Sequence, residues 1–222
     1  MVAGGLKPNI ITYTTLFNVA GRAGDELAVR QWYAQMREDT ISPDVMAYSA
    51  LIGASARKGG ADAPERWLWQ MTSEGVHPGH VTFNALISSH ALSDPSRAAG
   101  WFTRMRDAEV QPEASTYGAV IHAFAQFGLI EEASAWFENM EAASVAPTII
   151  QYNQLLSACA RAGPTGLHAA KAEGIFRRIL TDGRSQPTEA TLKSLRRAVG
   201  RLRAGKLWHE AGLDSDGPSQ TE

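Results

Sequence analysis

Prolines recur along this chain at a nearly constant interval, and no other feature narrows its possible folds so far. Pro8, Pro43, Pro78, Pro112, Pro147 and Pro187 are separated by 35, 35, 34, 35 and 40 residues. A period of that size marks a repeat array in which each copy is one supersecondary unit. Other columns keep the same phase. An aromatic stands near each opening at Tyr13, Tyr48, Phe83, Tyr117 and Tyr152, and a bulky pair follows at Leu16/Phe17, Leu51/Ile52, Leu86/Ile87, Val120/Ile121 and Leu155/Leu156. Later in each unit come Trp32, Trp67, Trp101, Trp136 and Ile175, then Met36, Met71, Met105, Met140 and Ile179.

One unit, Ala114 to Thr148, shows what the repeat builds. Its apolar residues at Tyr117, Val120, Ile121 and Phe124, and again at Ile130, Ala133, Trp136, Phe137 and Met140, step by three and four. That is the period of a helix with one buried face. Gly128 ends the first helix, Glu131 and Glu132 place negative charge at the start of the second, and Pro147 bars continuation into the next copy. Two helices this short bury too little apolar surface to offset their conformational entropy, so each unit needs neighbours. The expected fold class is all-α, an α-solenoid of helix-turn-helix repeats of about 35 residues.

The phase divides the chain into the tail of a repeat (1–9), five repeats (10–44, 45–79, 80–113, 114–148 and 149–188), a basic C-terminal capping helix (189–207) and a polar tail (208–222). The sequence is thus expected to open inside a repeat, with any targeting peptide upstream. Unit three is one residue short near Asp94 and Pro95. Unit five carries extra residues around Gly163 to His168, expected in the turn between its helices, and Pro64 is expected in the first turn of a helix.

Composition excludes several functions. The formal net charge is −2, from 21 Lys and Arg against 23 Asp and Glu, so the field of the whole molecule does not draw in nucleic acid. The one cysteine, Cys159, rules out an internal disulfide and a four-cysteine zinc site, and it falls on the apolar face of a first helix. No run approaches the roughly 20 apolar residues of a membrane span. Gly200 to Leu207 has the glycine and lysine spacing of a phosphate loop, but it lacks the Ser or Thr that would hold magnesium and has no preceding strand.

The unit openings NIITYTTLF, DVMAYSALI, HVTFNALIS, ASTYGAVIH and IIQYNQLLS, with closings that place Pro next to last, resemble those of pentatricopeptide repeat proteins over Lys7 to about Arg203. The resemblance implies a right-handed superhelix that binds single-stranded RNA, one base per repeat. In the family the fifth and last residues of a unit meet the base edge. The pairs here are Thr14 with Asp44, Ser49 with Gly79, Asn84 with Glu113, Gly118 with Thr148, and Asn153 with Thr188. The second residue wedges between bases, at Ile11, Met46, Val81, Ser115 and Ile150, and a cation near the end of the first helix meets phosphate, at Arg22, Arg57 and Arg161. Thr14 with Asp44 matches the family's pattern for guanine, and Asn84 and Asn153 match pyrimidine readers. Gly79 and Gly118 offer no side-chain contact.

The resemblance further implies action on chloroplast or mitochondrial transcripts, in processing, stabilisation or translation. Other proteins or a second copy of the chain remain open as partners. Neither a cofactor nor a metal is implied, and the C-terminal deaminase of some relatives would need an H-x-E and a C-x-x-C that this chain lacks. The expectation is a binder, not an enzyme. The alternative is a protein-interaction scaffold whose reading positions have degenerated.

Overall fold

The structure, a computed structural model, describes residues 7–56, 62–163 and 166–213. Among the described residues the chain forms twelve α-helices and no strand. They divide between two compact units, Met1–Val120 and Ile121–Glu222, with the boundary inside α7.

The first unit holds α1 (Ile10–Ala23), α2 (Glu26–Glu38), α3 (Val45–Ser55), α4 (Ala63–Ser73), α5 (His80–His90), α6 (Pro95–Asp107) and the opening of α7 (Ala114–Gln126). The second holds the rest of α7, then α8 (Ile130–Ala142), α9 (Ile149–Ala162), α10 (Gly166–Asp182), α11 (Glu189–Val199) and α12 (Arg201–Glu210). The fold class is an all-α repeat solenoid, and its helices start and stop where side chains supply the orphan backbone bonds. Asn9, Asp25, Asp44 and Asp94 each accept a backbone N–H at the start of α1, α2, α3 and α6. Pro64 and Pro95 stand in the first turns of α4 and α6, where a missing N–H costs nothing. At Gly128, φ is +70° and a Cβ would lie 3.0 Å from the backbone nitrogen of Ala162, so both conformation and space require glycine.

The odd-numbered helices pack side by side: α1 on α3 and α3 on α5 in the first unit, α9 on α11 in the second. At Gly21 the approach is so close that a Cβ would sit 2.5 Å from Ala54 Cα. The even-numbered helices pack outside them, and the aromatic columns join one repeat to the next. Tyr33 meets Tyr48, Phe102 meets Tyr117 edge-on at 4.8 Å, and Phe137 meets Tyr152 at 5.0 Å. Met36, Met71, Met105, Met140 and Ile179 are all fully buried, as their shared phase requires. Cys159 is buried too, and that burial pushes its thiol up to about 11.

Three expectations need correction. The extra residues of unit five do not all lie in a turn, because α10 begins at Gly166 and runs for 17 residues against 13 in α8. The capping segment is two helices, not one. Gly200, at φ +86° and ψ 157°, breaks the α-helical path and opens α12. The polar tail begins later than Trp208, which stacks on Phe176 at 5.8 Å and donates its indole N–H to Leu213 O at 2.9 Å. A half-buried indole that satisfies its donor belongs to the folded body.

Candidate nucleic-acid interface

Numbered from the start of each repeat, residues two, five, six, nine and thirteen of a first helix form a stripe whose members line the grooves between neighbouring first helices. The apolar residues at position two are strongly exposed: Ile11 70%, Met46 55% and Ile150 61%. Val81 is half-buried and Ser115 is exposed. Large aliphatic side chains left in water at one repeated position serve no core, and they suit insertion between flat apolar ligands.

Position five varies. Thr14 is half-buried and its hydroxyl donates to Ile10 O at 2.8 Å, leaving its lone pairs free to accept. Asn84 donates from Nδ2 to Ser115 Oγ at 3.1 Å, while its Oδ1 is buried with no donor. Asn153 repeats the pattern with a buried, unpartnered Oδ1, and its neighbour Gln154 adds a third such oxygen. These three oxygens, on α5 and α9, accept no hydrogen bond within the chain and are left for donors from outside it. Ser49 departs from the expected role. It is only 5% exposed, donates to Val45 O at 2.7 Å and shares a hydrogen bond with Thr82 Oγ1 at 3.0 Å in the next repeat. Gly118 is buried and brings no side chain.

The last residue of each repeat is the N-cap of the next first helix. One oxygen of Asp44 accepts from Ala47 N–H at 2.8 Å, which leaves the other for a ligand. Thr148 and Thr188 are engaged with Gln151 and Thr191 in capping boxes. Gly79 offers only its backbone N–H, which donates to Thr82 Oγ1 at 3.4 Å, and Glu113 is exposed.

Grooves run between successive first helices. In the second unit one is lined by His122, Gln126, Ile150, Asn153, Gln154 and Ser157, so the wedge and the orphan amides of unit five open onto a single space. Half-burial and the nearby Arg161 charge push the His122 pKa below its ordinary value, and the ring is neutral at pH 7. The equivalent groove in the first unit is lined by small and hydroxylic residues, among them Gly53, Ala85, Ser88 and Ser89. Arg22 and Arg161 are exposed near the ends of α1 and α9, and Arg57 lies outside the described residues. Sequence reasoning missed His122, Gln154 and Ser157. Extending the unit numbering to positions six and nine would have found them.

Charge is sorted by helix. None of the 23 Asp and Glu residues lies in α1, α3, α5, α7 or α9. On the second helices, carboxylates pair with cations of the adjacent repeat. Arg66 meets Glu26, Arg37 meets Glu74, and Arg97 meets both Asp62 and Glu65 at 2.9 Å in the first unit. In the second, Lys171 meets Glu131, Arg178 meets Glu141 at 2.6 Å, and Arg203 meets Glu173 at 2.7 Å.

A family model described as the pentatricopeptide repeat domain matches residues 1–58, 41–91 and 102–161. No curated protein matches the chain. Among solved structures, the chain is similar to maize PPR10 (23% identity, TM-score 0.72), covering 95% of this chain and 31% of that one. A structure of PPR10 in complex with an 18-nt psaJ RNA element is similar at 24% identity and TM-score 0.71, covering 94% and 30%. The pentatricopeptide repeat domain of Arabidopsis thaliana protein-only RNase P 1, in complex with tRNA, matches at 18% identity and TM-score 0.64, covering 89% of this chain and 98% of that one. The chain therefore spans about a third of the length of PPR10.

Proposed function

The chain belongs to the pentatricopeptide repeat family, and from that premise we propose that it binds single-stranded RNA along its first helices, about one base per repeat. The sorting of charge carries this reading. A net acidity of −2 argues against nucleic acid only if most of the carboxylates face the ligand, and none of them lies in α1, α3, α5, α7 or α9. Asp44 and Glu113 stand at proposed reading positions, and several of the others, on or beside the second helices, are closed into ion pairs between repeats, while the stripe of the first helices presents apolar wedges, amides and hydroxyls.

Each part of the stripe has a role. Ile11, Met46, Val81 and Ile150 separate bases, and Asn84 and Asn153 offer an unsatisfied amide oxygen to a donor on a pyrimidine edge. Thr14 and the free oxygen of Asp44 accept from guanine. Glu113, Thr148 and Thr188 stand at the second reading position. Ser49, Gly79 and Gly118 contribute little discrimination, and Ser115 is a poor wedge. Arg22, Arg57 and Arg161 meet phosphate. The chain is a binder with no chemistry of its own, and it acts on chloroplast or mitochondrial transcripts by covering a segment against nucleases or against its own pairing. No helix among the described residues is long and apolar enough to cross a membrane. Five reading repeats would meet a matching site about once per thousand random positions, so further repeats or a partner complete the selection of a transcript.

Selection of the purified chain against a random single-stranded RNA pool, with DNA as control, tests this. The expected result is a short RNA motif containing one guanine, and Asp44→Asn moves that position towards adenine with helicity unchanged. Equal, weak binding to RNA and DNA with no motif would replace the reading with the protein scaffold.

A further inference from the structure

We infer that the α11–α12 cap is a phosphate clamp: Lys193, Arg197 and Arg201, joined to Arg161 through Arg197, hold the sugar-phosphate backbone of single-stranded RNA running past the fifth repeat. The inference rests on the RNA-binding reading and assigns that reading a site in a segment with no complete repeat.

Register places the cations. Counted from Glu189 as the first residue of a unit, Lys193 is fifth, Ser194 sixth, Arg197 ninth and Arg201 thirteenth. On α11 these are the stripe positions, with Arg201 following on α12 after the break at Gly200, and the groove between α9 and α11 is built like the others. It is lined by Ser157, Ala160 and Arg161 from α9 and by Ser194 and Arg197 from α11, where the groove between α3 and α5 has Gly53, Ala56, Ala85 and Ser88 in the same columns. Arg197 also lines the next groove outward, of about 670 Å³, together with Glu189, Lys193, Arg196 and Arg201. The fifth and ninth columns, neutral upstream, thus become cationic at the cap, and Arg201 adds a cation beyond the break at Gly200.

Helix stability explains these charges only in part. Arg196 and Arg197 stand in the last turn of α11, where the dipole favours cations, and Glu189 precedes Lys193 by four residues. But Lys193 also has Arg196 and Arg197 three and four residues on, a like-charge spacing that destabilises a helix. Arg201 is the first residue of α12, where the helix dipole disfavours a cation. Among the described residues, the side chains of Arg161, Lys193, Arg196, Arg197 and Arg201 make no hydrogen bond or ion pair, whereas Arg203 on α12 pairs with Glu173 through two hydrogen bonds of 2.7 Å. The cap therefore ties Arg203 to α10 and leaves the stripe cations Lys193 and Arg197 open. Position two is Ala190, which cannot wedge bases apart. A cationic stripe with no wedge suits backbone rather than base edges.

The test uses the full chain, random-sequence RNA pools of ~6 and ~15 nucleotides, and a series of salt concentrations. The variant replaces Lys193, Arg196, Arg197 and Arg201 with Gln, and far-UV circular dichroism verifies its fold. The wild type should prefer the longer pool by about tenfold or more at low salt. The variant should lose that preference, and its salt slope should fall by roughly 2 to 3, at ~0.7 per phosphate. Arg30→Gln, which breaks a pair on α2, should change neither. A variant that keeps the length preference and slope overturns the clamp, while its continued enrichment of an Asp44-dependent motif would leave base reading standing. Failure of the wild type to bind either pool overturns both. Cap-dependent binding of a glutamate peptide of ~15 residues as tight as that of RNA would replace the RNA backbone with an acidic protein segment.

Discussion

At the scale of the residue, the orphan oxygens of Asn84, Asn153 and Gln154 are the sharpest sign that the stripe is incomplete without a ligand. A buried acceptor with no donor costs about 1–3 kcal/mol, and an apolar group of the same shape removes that cost. Asn153→Leu should therefore raise the unfolding free energy by about 1 kcal/mol while lowering the affinity for RNA. Chemical denaturation and RNA titration on the same preparation check the pair of effects, and a variant that loses both stability and affinity would show that the amide is structural. The positions of these residues were legible in the sequence because the repeat fixes their phase. Their states were not. Ser49 shares its column with Asn84, yet its hydroxyl is bonded to Thr82 because that threonine, 33 residues on, caps α5 from the adjacent repeat. Only the packing of one repeat on the next decides whether a column residue faces a ligand or its own chain.

At the scale of the element, the fourth-position tyrosines tie first helices to residues on or at the end of second helices. Tyr13 donates to Asp39 and Tyr152 to Asp182 at 3.1 Å, and burial followed by these carboxylates pushes both phenols up to about 12. The raised folded pKa means that the neutral phenol stabilises the fold. That stabilisation is complete below the unfolded value near 10 and is lost as pH rises through about 12. Helicity should therefore collapse between these limits, with Tyr152→Phe moving the onset to higher pH in a circular dichroism titration. Contact between first helices is tested at Gly21, where a methyl group would overlap Ala54. Gly21→Ala should cost about 1–3 kcal/mol by overpacking, despite the better helix propensity of alanine, and thermal unfolding reads the sign directly. Several helix starts and stops followed from Pro, Gly and Glu in the sequence. The break at Gly200 did not, because Arg, Ala and Leu, all good helix formers, stand close by on both sides and a lone glycine is tolerated in a helix.

At the scale of the whole molecule, the formal charge of −2 is a poor guide to what the chain attracts. Screening limits the reach of exposed charges to about 10 Å in ordinary buffer, so a ligand on the first helices feels the nearest groups rather than the total. The sequence held the needed information, since the 23 carboxylates already avoid the first helices, but a sum over the chain conceals it. Position and total can be separated by adding the same charge to opposite sides. Thr15→Glu with Ser88→Glu places two carboxylates at exposed sites on α1 and α5, and Thr103→Glu with Ala135→Glu places two at exposed sites on α6 and α8. Both double variants carry the same net charge. The first should weaken RNA binding by about tenfold at low salt, through repulsion of backbone and bases, and the loss should shrink as salt rises. The second should bind as the wild type does. Equal losses in the two would mean that total charge governs association, and the segregation of carboxylates onto the second helices would then serve only the ion pairs that join repeats.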